Sequence, residues 1–521
     1  MALGSRLGQS RRRFDEDDRR GDARRLSRPP RRRPGRVHPR DGTHRLRPDL
    51  LGERGRRGER ASGRRHHPRD AHLLARAVAA DCGRPRRDGL RPRVLRRSVV
   101  NQFRISSNRS ATYWYTSTVD VNRATLTEDG GWCWFQDPRA VRYRGTHDRT
   151  YVGWITRHGD VCVGQYDHDD GEVSTTELRA DYERDDHDDP TIARRPDGRL
   201  VVFYTRHGGP AVNYRLSTDP ESVAAFESEE RIEPGSDPSV TYPNPRWIDG
   251  DLHLFVRNGG SVVDIVSPDG GETWGQQHEL VSTGGEGWCV YAKLSRARDG
   301  EVNLGLTHAM GGKDEPHRHV THARFDGDAL RASDGTVLGR VTDGSLPVAV
   351  DETTPVFDSG ETGDDAWIWD CSTAGRVPQL AYAQLVSADD HRYRYARWDG
   401  DGWTDRLLCH GGRHVVDGEA SDERYYSGGV VLDHDRPGVC YASVGSHDSS
   451  ALVRFERVDG GWRTEQVASA DAQHVRPVVP WNGGSDLRVC WLRGSYTHYA
   501  PRNSGDDAAA FDTAVVGSGA E

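Results

Sequence analysis

The sequence predicts an all-β fold, a seven-bladed β-propeller over residues 126–500, on three observations. A unit of two apolar strands joined by a turn recurs, its spacing suits a four-stranded blade, and helix-type periodicity is absent. The unit starts at Asp148 (RTYVGWITRHGDVCVGQYD) and returns at Asp197 (GRLVVFYTRHGGPAVNYRLS), Asp249 (GDLHLFVRNGGSVVDIVS) and Asp299 (GEVNLGLTHAMG). It appears again at Val377 (PQLAYAQL), Pro437 (GVCYASVG) and Ser485 (DLRVCWLRGSYTHY). The first intervals are 49, 52 and 50 residues and the last is 48, while the two that flank Val377, 78 and 60, mark insertions. In such a ring each blade buries both faces against its neighbours, and radial closure protects the strand edges.

Composition divides the chain. Residues 1–110 hold 33 Arg against 12 acidic residues, whereas the remainder holds 39 basic and 68 acidic residues, a net charge of −29. Only Lys293 and Lys313 are lysines. An acidic, lysine-poor surface stays hydrated when salt screens charge, so the body reads as adapted to high salt. Such a surface repels phosphate, which argues against nucleic-acid binding. The 521-residue chain has 34% apolar residues and a mean hydropathy of −0.81, but 14 Trp and 18 Tyr supply bulk for a core. No apolar run of 18 residues occurs, so no membrane helix is expected.

Residues 1–125, rich in Arg, Pro and Gly, are expected to be disordered. A mis-set start or a frame-shifted reading of GC-rich DNA is favoured over a functional basic arm, and no signal peptide is readable. Residues 501–521 are expected to form a disordered tail. The eight cysteines include no C-x-x-C pair and form neither a disulfide scaffold nor a zinc-finger framework.

Propellers bind ligands where short loops from several blades converge, so candidate residues should occupy equivalent loop positions in successive units. Asp185-Asp186-His187-Asp188-Asp189-Pro190 and Thr241-Tyr242-Pro243-Asn244-Pro245 each precede the first strand of a unit. Gly130-Gly131-Trp132-Cys133-Trp134-Phe135-Gln136-Asp137-Pro138-Arg139 precedes the unit before them. The strands that follow end in His207 and Arg257. His187, His207, Tyr242 and Arg257 are therefore the catalytic candidates, with Arg139, Asn244, Tyr291 and Lys293 expected to bind substrate. The competing readings are a solvated loop histidine for His187, a buried wall residue for Tyr242 and an inter-blade ion pair for Arg257. His308, His317, His319 and His322 form a second cluster whose imidazoles suggest zinc.

Ser267-Pro-Asp269-Gly-Gly-Glu-Thr-Trp274 matches the S-x-D-x-G-x-T-W Asp-box of BNR-type propellers, a structural hairpin without catalytic meaning. With it, GGWCWFQDPRAV, DDHDDPTIARRPDGRLVVFYTRHG and TYPNPRWIDGDLHLFVRNG resemble the BNR-repeat propeller family that includes ulvan lyases and related rhamnose-uronate lyases. The resemblance covers roughly residues 126–500 and implies a polysaccharide lyase that cleaves a uronate-containing polymer by β-elimination. It implies a catalytic set of two His, a Tyr and an Arg at His187, His207, Tyr242 and Arg257. In that scheme Arg257, assisted by His207, neutralises the uronate carboxylate, and His187 and Tyr242 share the base and acid roles. It further implies a structural zinc near the second cluster, with Cys289 as a partner, while the chemistry itself requires no cofactor. The expected partner is an anionic polysaccharide, the chain is expected to be a monomer, and the resemblance favours an extracellular location. A sialidase-like hydrolase and a non-catalytic sugar-binding propeller are the alternatives.

Overall fold

Period-two alternation turns into strand after strand in the computed structural model, which describes residues 113–116, 123–235, 238–284, 289–308, 319–413, 426–446, 448–496 and 511–519. All of these lie in the second of two units, Met1–Pro92 and Arg93–Glu521. Almost every described residue outside the turns is in a strand, and the strands form six hydrogen-bonded sheets. His317, Lys313 and Tyr425 lie outside the described residues, as does the segment 1–112.

The sheets follow chain order as antiparallel meanders. The first contains Ala140–Arg144, Asp148–Ile155, Val161–Asp167 and Val173–Arg179. The second contains Thr191–Arg194, Leu200–Thr205, Val212–Leu216 and Glu230–Ile232. The third contains Val240–Ile248, Asp251–Asn258, Ser261–Ser267 and Gln277–Ser282, with Val348–Ala349 added in parallel. The fourth runs from Val290–Leu294 through Val302–His308 and Val320–Phe325 to Ala329–Arg331 and Val337–Arg340.

A nine-stranded sheet follows, composed of two meanders. Asp365–Ser372, Gln379–Ser387, Asp390–Trp398 and Trp403–Gly412 make one. Val430–Leu432, Val439–Gly445, Ser450–Val458 and Gly461–Ala468 make the other, and only the Gly412–Gly445 pair joins the two. Tyr113–Thr116 pairs in parallel with Gly461–Ala468 at the far edge.

The last sheet corrects two expectations. Its order is Arg123–Thr127, Phe511–Ser518, Val489–Tyr496, Gln473–Val478. Residues 511–518 are thus a central strand and not part of a disordered tail, because Phe511, Val515 and Val516 bury their side chains. The boundary drawn at residue 125 likewise cuts through the edge strand of this sheet.

First strands pack on first strands along much of the chain. Ala140–Arg144 lies against Thr191–Arg194, which lies against Val240–Ile248; Val290–Leu294 lies against Asp365–Ser372, then come Val430–Leu432 and Gln473–Val478. Return to the beginning is made by backbone: Arg142 N donates to Trp481 O at 2.8 Å and Trp481 N donates to Ala140 O at 3.1 Å. The loop Gly130–Arg139 then leaves the last sheet and is buried among these first strands. A Cβ on Gly131 would lie 2.7 Å from the Phe511 ring, so the loop and the C-terminal strand require glycine there.

Phe511→Ala is expected to cost about 3–5 kcal/mol, the usual range for truncating a buried aromatic ring. Urea unfolding measures it; a loss below about 1 kcal/mol would mean that this strand contributes little to holding the ends together.

Candidate active site

The loop Gly130–Arg139 is the local floor. Trp134 stacks on Trp369 with centroids 4.3 Å apart and donates Nε1 to Ile368 O at 3.1 Å. Trp132 Nε1 donates to Arg476 O at 2.8 Å. Cys133 N donates to Asp186 O at 2.8 Å and to Asp189 Oδ1 at 3.0 Å, while Gln136 Nε2 donates to His187 O at 2.8 Å. These bonds fix the short 3-10 turn Asp186–Asp188, which Asp185 caps by accepting from His187 N at 3.0 Å.

On this floor the structure brings the four catalytic candidates together. The His187 and His207 rings stack 3.9 Å apart and 3° from parallel. One carboxylate holds both: Asp185 Oδ1 lies 2.5 Å from His187 Nδ1, and Asp185 Oδ2 lies 3.0 Å from His207 Nδ1. With both Nδ1 atoms engaged, each ring directs Nε2 away from Asp185. Tyr242 lies 5.5 Å from His187 between ring centroids. The Arg257 guanidinium sits 4.8 Å over the Tyr242 ring and 5.2 Å over that of Tyr291, and donates Nη2 to Thr241 Oγ1 at 3.1 Å.

Backbone geometry aims Tyr242. Its φ is +62°, a left-handed conformation that is costly for an aromatic residue, and the strand register shifts between Thr241 and Asn244. Strain of this kind persists only where the surroundings enforce it, and it clusters at functional sites. Here Asn244 enforces it, donating Nδ2 to Tyr242 O at 2.9 Å and Phe135 O at 3.1 Å while accepting from Asp137 N at 2.9 Å.

Electrostatics separates the two imidazoles. Burial disfavours charge on His187, yet Tyr242 and Asp185, with Asp186 3.0 Å away, hold its pKa well above the usual histidine value. His207 moves the other way, to about 4, because of burial and then the neighbouring His187 charge. Burial raises the Tyr242 hydroxyl well above its ordinary value, with His187 and Arg257 pulling against it. Burial and the neighbouring groups thus push the two imidazoles in opposite directions, His187 up and His207 down.

Three of the four expected substrate contacts are positioned differently. Lys293 is 1% exposed and donates Nζ to Trp134 O and to Asp137. Arg139 is 2% exposed, donates Nη1 to Cys133 O at 2.8 Å and pairs with Asp137. Asn244 is the clamp just described. All three bind the floor loop, because the backbone carbonyls of a buried loop need donors. Tyr291 remains at the site, under Arg257 and 5.0 Å from the Phe135 and Trp367 rings.

One residue escaped the sequence reading. Arg476 is fully buried, lies 4.2 Å over the Trp134 ring and 4.8 Å over the Tyr496 ring, and donates Nη2 to Tyr496 Oη at 3.0 Å. Tyr496 in turn donates to Asp186, which adjoins His187. Arg476 has φ of +54°, precedes Pro477 and sits at a register shift in the first strand of its sheet, as Tyr242 does before Pro243. That shared X-Pro at one repeat position is the signal that could have found it.

The second histidine cluster divides. His308 and His319 stack at 5.6 Å, and the buried His308 Nδ1 has no hydrogen-bond partner among the described residues. His322 does not join them, since Ser333 Oγ at 2.8 Å and Asn303 Oδ1 at 2.9 Å occupy both its ring nitrogens. It falls on the opposite side of the strand pair, so it is corrected from metal ligand to buried hydrogen-bonding residue. Two described imidazoles fit a zinc ion but fall short of the four ligands of a structural site. Ser267–Trp274 forms a tight turn in which Asp269 accepts from Thr273 N at 2.8 Å, and Trp274 packs on Phe203 and Tyr214.

Residues 149–410 match the model of a BNR repeat-containing family member, half of the chain. The chain belongs to this BNR repeat family. Among curated proteins it resembles an ulvan lyase of Pseudoalteromonas sp. (strain PLSV), described as PL25, with 24% identity over 63% of this chain and 73% of the relative. It also resembles an ulvan lyase of Alteromonas sp. (strain LOR), with 30% identity over 27% of this chain and 33% of the relative. The BNR chain shares its fold with a solved PL25 ulvan lyase bound to -[GlcA(1-4)Rha3S]-, at a TM-score of 0.57 and 17% identity, covering 76% of this chain and 95% of the other. The solved polysaccharide lyase Uly1 gives a TM-score of 0.50 at 12% identity, covering 77% and 99%.

Asp185→Asn removes one of the charges that raise the His187 pKa, so that pKa should fall. A nuclear magnetic resonance titration of the His187 ring reads this. An unmoved pKa would show that Asp185 is not what charges the imidazole.

Proposed function

We propose that this chain is a polysaccharide lyase that cleaves a uronate-containing, ulvan-like rhamnose-uronate polymer by β-elimination. Its sheets are read as seven blades of a propeller, with Arg123–Thr127 and Phe511–Ser518 joining both chain ends in the last blade. The observation that carries the reading is one carboxylate, Asp185, holding two stacked imidazoles beside Tyr242 and Arg257. The names of the relatives, ulvan lyases, supply the substrate class.

Elimination begins with loss of the uronate C5 proton, which is difficult because the electron pair left behind adjoins a carboxylate. Arg257 neutralises that carboxylate, and its position over two aromatic rings keeps the guanidinium fixed. In this reading His207, neutral and 22% exposed, takes the C5 proton on Nε2, rather than His187, which is 2% exposed. The pair left on C5 forms the C4–C5 double bond and expels O4. Tyr242 gives its hydroxyl proton to O4, and the cationic His187 steadies the phenolate that results. Transfer of the proton from His207 back to Tyr242, through water, restores the starting state. The products are a new chain end and an unsaturated uronate.

Two further elements belong to the proposal. His308 and His319 are read as ligands of a structural zinc. The acidic, lysine-poor body is read as suited to high salt.

The purified chain, incubated with ulvan, should produce ultraviolet-absorbing conjugated ends in step with reducing ends. Reducing ends without absorbance would indicate hydrolysis, and neither signal would indicate binding alone. Tyr242→Phe and His207→Ala should each lower kcat by about 10²–10⁴-fold, the usual worth of general acid–base catalysis. Because His207 must be neutral to accept a proton, activity should hold from neutral pH downward and disappear as pH falls through about 4. Elemental analysis should find zinc in the purified protein and a loss of it in His308→Ala; zinc-free wild type would leave His308 and His319 as a stacked pair only.

A further inference from the structure

Arginines in the described body mostly face acids, as a single hairpin illustrates. In Asp390–Trp398 and Trp403–Gly412, Arg394 pairs with Asp405 through Nη2 at 2.5 Å on one face of the sheet. On the other face the register places Arg406 opposite Tyr395, with Arg397 two residues further along the strand. Neither Arg397 nor Arg406 is ion-paired among the described residues, and the same holds for Arg457 on the neighbouring strand Ser450–Val458. All three line one cleft of about 480 Å³, together with Tyr395, Gly438 and a single carboxylate, Asp459. That volume lies in the range of saccharide- and drug-sized ligand sites, roughly 300–1,000 Å³.

Leaving three guanidinia together without ion-pair partners is unfavourable, since each repels the others. It is more notable in a body that carries 68 acidic residues against 39 basic ones, where a carboxylate is rarely far. Arg406 and Arg457 are exposed and Arg397 is half-buried, so the charges are accessible. The floor is rigid: Tyr395 donates Oη to Gln379 Oε1 at 2.6 Å and packs edge-on against Trp462 at 5.4 Å. Gly438 N donates to the same Gln379 oxygen at 3.1 Å, which fixes the turn that forms the cleft's other wall.

The cleft is not part of the catalytic site. His187 precedes the first strand of its meander and His207 follows the second. Arg397 and Arg457 stand at the ends of third strands, and Arg406 near the start of a fourth. In an up-and-down meander those positions are at the opposite strand ends from the starts of first strands and the ends of second strands.

We propose that this cleft between the two meanders of the nine-stranded sheet is a second binding site for the sulfate and carboxylate groups of an anionic polysaccharide. Guanidinium forks match such oxyanions in geometry as well as charge. The identity of the polymer as the chain's own substrate rests on the lyase reading; the anion site itself does not. A polymer held here while another stretch occupies the catalytic loops raises the local concentration of cleavable chain.

Retardation of the whole protein in gels containing ulvan, against gels containing a neutral glucan, tests the site at low salt without requiring turnover. Wild type should be slowed by ulvan alone, and the R397Q/R406Q/R457Q variant should bind about tenfold more weakly or worse. Arg406→Glu, on an exposed side chain, should give a partial loss and guards against a folding defect in the triple variant. If lyase activity is present, the triple variant should show a raised KM on long ulvan and an unchanged kcat/KM on short oligosaccharides. Retardation equal to wild type in all variants would overturn the proposal. Calorimetry with sodium sulfate separates a small-anion site: sulfate binding lost in the triple variant, with ulvan retardation unchanged, would also overturn it. Loss of retardation in a chain that yields no unsaturated product would support the site while the lyase reading fails.

Discussion

Asp185 is the constraint from which the rest of the site follows. A carboxylate between two stacked imidazoles disfavours charging both, because two adjacent imidazolium ions 3.9 Å apart would repel strongly in a buried setting. The surroundings push His187 up and His207 down. Asp186 adds a second anionic contact to His187 alone. In the proposed mechanism this asymmetry gives two identical side chains different work, His187 steadying charge and His207 accepting a proton, the kind of division that acid–base chemistry needs.

Holding Asp185 in place consumes much of the polar chemistry at the centre of the molecule. The floor loop is fastened by Lys293, Arg139, Asn244 and Arg246, the last donating to Ser295, Asp137 and Leu294 carbonyls at 2.7 Å each. Buried cations seldom improve net stability over apolar packing, but they are costly to disrupt and impose one arrangement. The same loop requires glycine against the C-terminal strand, so catalytic geometry and closure of the two chain ends are tied through Gly131 and Phe511.

The repeat was legible because each unit needs alternating apolar residues on both of its strands, and His187, His207, Tyr242 and Arg257 were legible because they recur at loop positions of that repeat. Burial of polar residues was not. Lys293, Arg139 and Asn244 sit on segments that enter their units and look like ligand contacts, yet Lys293 and Asn244 are tied to Asp137 of the floor loop, more than 100 residues away. The strand at Phe511 was missed because its predecessor, Tyr496, is separated from it by a polar stretch rich in Asn, Ser, Gly and Asp. Arg476 was hidden for the opposite reason: HVRPVV reads as an ordinary strand, and only the bulge before Pro477 turns its side chain toward the floor loop.

An acidic body acting on an anionic polymer, as proposed, must attract its substrate locally, and the cleft of Arg397, Arg406 and Arg457 is the proposed place for such contacts. The most direct test of eliminative cleavage is to let the enzyme act on ulvan in water labelled with heavy oxygen and to weigh the fragments by mass spectrometry. Elimination breaks the C4–O4 bond without adding water, so the new ends should carry no label at the moment of cleavage and the fragment masses should sum to the parent. Label incorporated at each cleavage, with fragment masses heavier by one water, would contradict the account.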